Sequence, residues 1–206
     1  LDAGLLLKGY IIGLSIAAPV GPIGVLCIRR TLAEGRRAGL ASGLGAATAD
    51  AIYGCIAGFG LTFISGFLVS QQTWLRLVGG LFLCYLGART LLARPAERPA
   101  AASGVGLGGA YASTFFLTLT NPMTILSFAA VFAGLGLAET SGGYLSALLL
   151  VGGVFLGSAS WWLLLSGGVS LFRDRFGATG LQWVNRVSGA AIIIFGIVAL
   201  ISIRLV

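Results

Sequence analysis

The sequence predicts an all-α fold: a polytopic membrane protein of six transmembrane helices, built as two inverted three-helix repeats. Three observations predict it. Of the 206 residues, 57% are apolar and only 9% are charged, where a soluble domain carries about 25% charged residues; the mean hydropathy is +1.00. Apolar stretches of at least about 20 residues, enough to cross a bilayer as helix, recur along the chain with short connections. Two of these stretches are broken at matched places by Pro-bearing patches, Ala18-Pro19-Val20-Gly21-Pro22-Ile23-Gly24 and Thr118-Leu119-Thr120-Asn121-Pro122-Met123-Thr124.

The spans fall at roughly 4–28, 38–65, 72–92, 106–134, 143–169 and 183–204. The first carries a Pro-Gly patch and no basic segment before it, so a removable signal peptide is not expected. The first connection, Arg29 to Arg37, holds four Arg; the second, around Ser70-Gln71-Gln72, has no charge before Arg76. The third holds Arg94 and Arg98, the fourth only Glu139, and the fifth Arg173, Asp174 and Arg175. Basic loops stay in the cytoplasm, which places loops one, three and five inside and both termini outside. The Pro/Ala-rich segment 93–105 then joins a first repeat, 1–92, to a second, 106–206. Three spans per half insert the halves in opposite orientations.

Composition narrows the function. The net charge of +7 reads as loop topology, so lipid and not nucleic acid is the expected large partner. His is absent, which removes the commonest metal ligand and proton relay. Cys27, Cys55 and Cys84 occur singly and read as packing residues between helices. No cofactor or metal site is expected. An enzyme needs a nucleophile with its base, or a metal; no Gly-x-Ser-x-Gly or His-Glu-x-x-His occurs, and no catalytic role is assigned.

Asp50 is the one acid far from a span end. An Asp at the middle of a membrane helix costs about 2.5–3.5 kcal/mol on insertion scales. At helical spacing it shares a face with Gly43, Ala47, Gly54 and Gly58, so it points into the bundle. Burial holds the proton on a carboxyl and a nearby cation releases it. Asp50 can therefore alternate between a protonated and a substrate-paired state; the alternative is a purely structural bond to loosened backbone.

The breaks supply the rest of the candidate site. Pro19 and Pro22 each remove a backbone donor, and Gly21 and Gly24 continue a small face from Gly13 and Ala17,. Beyond Pro22 the chain restarts as a half-helix whose free N–H groups can hold an anion. Thr120, Asn121 and Pro122 repeat the plan in the fourth span. Asn121 can hold a substrate or satisfy loosened backbone. Broken helices in corresponding positions of two halves point to a transporter's binding site. Helix N-termini and a carboxylate together suit a zwitterion. Trp161 and Trp162 lie inside the fifth span, away from the usual interface belt; they gate the cavity or fill space. The Gly-x-x-x-Gly pairs, such as Gly39/Gly43 and Gly153/Gly157, more often mean internal packing than a dimer seam, and a homodimer stays open.

With these residues placed, the chain resembles the LysE/RhtB family of amino-acid exporters. The resemblance rests on Pro19-Val20-Gly21-Pro22, Gly35-Arg36-Arg37-Ala38-Gly39, Gly43, Gly45, Asp50 and Asn121-Pro122, and it covers nearly the whole length. It implies a small carrier of the bacterial inner (plasma) membrane that exports amino acids or close derivatives, driven by the proton motive force. Carried over, Gly21, Pro22, Asp50, Asn121 and Pro122 become the site. The rival is a divalent or heavy-metal cation exporter of a related family; such a cargo wants several converging ligands, and one central acid offers few.

Overall fold

The structure is a computed structural model, and it describes residues 3–19, 21–58, 71–92, 106–121, 124–128, 144–172, 175 and 178–205. Every element among them is helical: α1 (Ala3–Ala17), α2 (Pro22–Glu34), α3 (Arg36–Gly58), α4 (Gln72–Leu91), α5 (Gly106–Thr120), α6 (Tyr144–Ser170) and α7 (Ala178–Ile201), followed by a 3-10 turn, Ser202–Leu205. Residues 124–128 are helical again beyond the second break. Among the described residues, Tyr144–Ser170 and Thr179–Ile201 are each long and apolar enough to cross a bilayer, and α1 with α2 makes a third if counted as one span. The expected linker 93–105 and the fourth connection lie outside the described residues.

The first predicted span is bent where its prolines fall. α1 and α2 are inclined at 81°. Gly21 caps α2 in an extended conformation and Pro22 occupies the first turn, where its missing N–H would have no partner anyway. The first connection needs correction: Arg29 and Arg30 belong to α2, which continues to Glu34. The turn is Gly35 alone, at φ 100°, a left-handed conformation suited to glycine. Its N–H bonds the Thr31 carbonyl at 3.1 Å, and α3 starts at once. The charge pattern misled because Arg is rarely buried in an apolar bundle.

The packing is directional. Gly9 and Gly13 of α1 meet the backbone of Leu150 and Val154, while Gly153 and Gly157 of α6 meet that of Leu6 and Tyr10, so α1 and α6 run parallel. Asp50 faces Ser158, Gly43 faces Trp162 and Gly39 faces Ser166, so α3 and α6 run antiparallel. Gly45 lies on Tyr111 and Tyr53 reaches Leu119, which sets α3 parallel to α5. On α4 and α7, Gly80 meets Gly196 and Gly87 meets Gly189, an antiparallel crossing. Small residues make these backbone approaches possible, and a Cβ at Gly9, Gly13, Gly153 or Gly157 would overlap a neighbouring carbonyl,.

One core joins Leu26, Cys27, Ala46, Ala47, Leu117 and Trp162; a second joins Ile12, Tyr53, Phe128, Leu150 and Val154. Large apolar side chains such as Leu7, Leu145, Leu164 and Ile194 cover the outside. That inversion of a soluble surface suits a lipid environment.

Candidate functional site

A cavity of about 540 Å³ lies where the two breaks approach Asp50. Pro19, Gly21, Pro22, Gly24, Asp50, Thr120, Asn121 and Trp162 all line it. Pro122 lies outside the described residues. Trp161 is not among the lining residues; it packs half-buried against the first core cluster, so of the expected gate pair only Trp162 fronts the cavity.

Asp50 reaches the site from the middle of α3. It is 3% exposed and accepts a hydrogen bond from the Ser158 hydroxyl at 2.7 Å. The Ser158 oxygen in turn accepts the Trp162 indole N–H at 3.1 Å. This relay fixes one carboxylate oxygen and orients the indole. Among the described lining residues Asp50 is the one acid and Arg76 the one base.

The broken ends form the adjoining wall. On α2 the Gly21 carbonyl accepts the Val25 N–H at 3.0 Å. The amides of Ile23 and Gly24 belong to the first turn and have no intrahelical acceptor, and both residues line the cavity. At the second break the Asn121 carbonyl accepts the Thr124 and Ile125 N–H groups at 3.1 and 3.2 Å. Gly21 and Asn121, each followed by Pro, thus start their half-helices alike. Thr118 and Thr120 turn their hydroxyls back to the Thr114 and Phe116 carbonyls. The Tyr53 hydroxyl donates to the Leu119 carbonyl at 2.6 Å and holds the second break onto α3.

Sequence reasoning missed three residues. Ser158 carries Asp50, and its only signal was a Gly-Ser-Ala-Ser run in the fifth span. Arg76 falls inside the expected third span but was given no role; it stands in α4 and lines the cavity. Arg30 is 3% exposed and donates to the Ser42, Thr114 and Ser113 hydroxyls and the Ala110 carbonyl at 2.7–2.9 Å. Beside it Arg29 bonds Glu34 at 2.7 Å and Asn185 at 3.0 Å. The two arginines tie α2 to α3, α5 and α7 at the end of the bundle opposite Arg76. Small hydroxyl residues at Ser42, Ser113 and Thr114 were the available hint.

For a metal ion the donor set is thin. Among the described residues, no three of His, Cys, Asp and Glu come together.

An apolar-surfaced helical bundle around a partly polar internal cavity, with helix breaks at its wall, defines an integral membrane protein with room for a small solute. The chain belongs to the LysE type translocator family, whose pattern it matches over residues 14–203. It is 30% identical over 198 residues to "Putative amino acid efflux protein YcgF" of Bacillus subtilis (strain 168), covering 93% of both chains. It is 31% identical over 176 residues to "Uncharacterized membrane protein YahN" of Escherichia coli (strain K12), covering 82% of this chain and 77% of that one. No solved structure matches it.

Proposed function

We propose that this translocator exports amino acids or close derivatives from the bacterial cytoplasm by proton antiport, with the cavity exposed alternately to each side. The observation that carries the reading is the convergence on one cavity of Gly21, Pro22, Asn121 and Asp50. A zwitterion matches that wall: first-turn amides favour a carboxylate and Asp50 favours an ammonium. The name of the Bacillus subtilis relative, an amino acid efflux protein, agrees.

The inverted-repeat reading is supported by the helix pairs. Exchanging the halves turns the α1–α6 pair into the α5–α3 pair, both parallel, and returns the α3–α6 and α4–α7 pairs to themselves, both antiparallel. A two-fold axis in the membrane plane has that effect. In this arrangement the cavity runs toward Arg76 and Ser202, while Arg29 and Arg30 close the other end. With the basic loops inside, the closed end faces the cytoplasm. Rocking of the halves opens it and admits substrate, and Asp50 takes up a proton from outside as substrate leaves. That incoming proton brings about 2.3 kcal/mol per 100 mV of membrane potential.

Purified protein in liposomes, offered each of the twenty labelled amino acids, tests this by counterflow. Exchange of at least one is expected. Asp50→Asn is expected to retain counterflow in part and to lose uptake driven by an imposed pH gradient. Unchanged gradient-driven transport in that variant removes Asp50 from coupling.

A further inference from the structure

Arg76 has no part in the chemistry above, yet among the described residues it is the one base lining the cavity. We propose that Arg76, ahead of the first-turn amides, is the principal partner of the substrate's carboxylate, opposite an ammonium held at Asp50, so that the cavity selects solutes with a free carboxylate. This rests on the amino-acid reading of the site and deepens it.

The placement follows from helix directions. α3, α5 and α7 run from the Arg30 end toward the other end, because Ser42, Ala110 and Asn185 gather near the start of each. α4 runs the opposite way along α7, so Arg76, near its start, stands at the far end beside Ser202. Three residues further along α4, Gly79 packs on the Thr120 carbonyl, which an added Cβ would approach to 2.9 Å. Arg76 is therefore about one turn, roughly 5 Å, beyond the second break. Asp50 is about one turn short of it, since Tyr53 bonds Leu119. The two charges bracket the break along the bundle axis, with Cα positions on the order of 10 Å apart along that axis. Both residues line the same cavity.

The hydrogen bonds of Arg76 favour the role. A guanidinium has five N–H donors. Nη1 donates to the Ser202 carbonyl at 2.6 Å, which anchors one edge to the turn after α7. Among the described residues the Nε–Nη2 edge has no partner, and Arg76 has no acid beside it. That edge is the one that binds a carboxylate by two parallel bonds. Phe195 and Val198 of α7 add apolar wall to the same cavity, and Thr120, Asn121 and Thr124 add polar groups from the second break.

The test compares an acid with its amide. Proteoliposomes carry wild type, Arg76→Gln or Arg76→Lys, each checked for monodisperse elution. For each labelled amino acid that exchanges, the competition by the unlabelled acid is measured against that by its carboxamide. In wild type the acid is expected to compete at least about 100-fold better, since a site built to bond a group strongly rejects an analogue without it. In Arg76→Gln the KM for the acid rises at least tenfold while the carboxamide is unaffected, and the ratio collapses. Arg76→Lys restores part of the ratio, and reads the same way should Arg76→Gln not fold. A purely structural Arg76 moves both competitors together. An unchanged ratio in either variant, or a wild-type ratio near one, overturns the assignment while amino-acid transport stands. Failure of wild type to exchange any amino acid overturns the transport reading itself, and this assignment with it.

Discussion

Replacing Arg30 by Met keeps much of the side-chain stem and removes the buried charge that α2 places between α3 and α5. The loss can be bounded. Nη1 bonds Ser42, Ala110 and Thr114 and Nη2 bonds Ser113. Ser113 and Thr114 keep a second bond, to the Gly109 and Ala110 carbonyls, so they lose little. Ser42 is fully buried and loses its partner, which costs about 1–3 kcal/mol. Interhelical bonds inside membrane proteins average about 0.6 kcal/mol, and removing a buried charge returns several kcal/mol of desolvation. Balanced, Arg30→Met is expected to destabilise the protein by about 1–3 kcal/mol. The assay is unfolding in mixed micelles by added anionic detergent, followed by Trp fluorescence. Ser42→Ala and the double variant complete a cycle, with a coupling of about 1 kcal/mol expected between two residues in contact. A variant as stable as wild type, or a coupling near zero, would refute the view that this cluster ties α2 to α3 and α5. A clear gain in stability would mean that burying the guanidinium outweighs its bonds.

Two further variants probe the packing around the site. Tyr53→Phe leaves the Leu119 carbonyl without its 2.6 Å bond; a loss of about 1 kcal/mol is expected in the same unfolding assay, and no loss would detach the second break from α3. Gly157→Val pushes a side chain into the Tyr10 carbonyl and is expected to cost at least about 1–3 kcal/mol, whereas Gly152→Ala, with only Leu6 at 3.9 Å, is expected to be neutral or to gain up to about 1 kcal/mol; similar stability for both would mean that α1 and α6 are not in backbone contact.

The two Pro patches, the lone acid and the glycine faces were legible because each breaks a local rule. Pro disrupts a helix wherever it falls, an acid is costly in lipid, and glycine at four-residue spacing marks close approach. Pro19, Gly21, Gly24, Asp50 and Asn121 were named from these signals, and they line one cavity. The arginines were illegible for the converse reason. Arg29, Arg30 and Arg76 look like ordinary boundary charges, and only a partner distant in sequence distinguishes a buried guanidinium from a solvated one. Ser113 lies 83 residues from Arg30, and Ser202 lies 126 from Arg76.

The sequence by itself determined an apolar helical bundle with two broken helices and an acid that must face inward, since hydropathy, helix breaking and small-residue spacing are properties of a residue and its near neighbours. The tertiary structure decided that Arg29 and Arg30 bind across helices at one end of the bundle, that Ser158 and Trp162 hold Asp50, and that Arg76 shares its cavity. These depend on the direction and register of helices from opposite halves, which are fixed by which glycine meets which backbone and leave no mark on either segment alone.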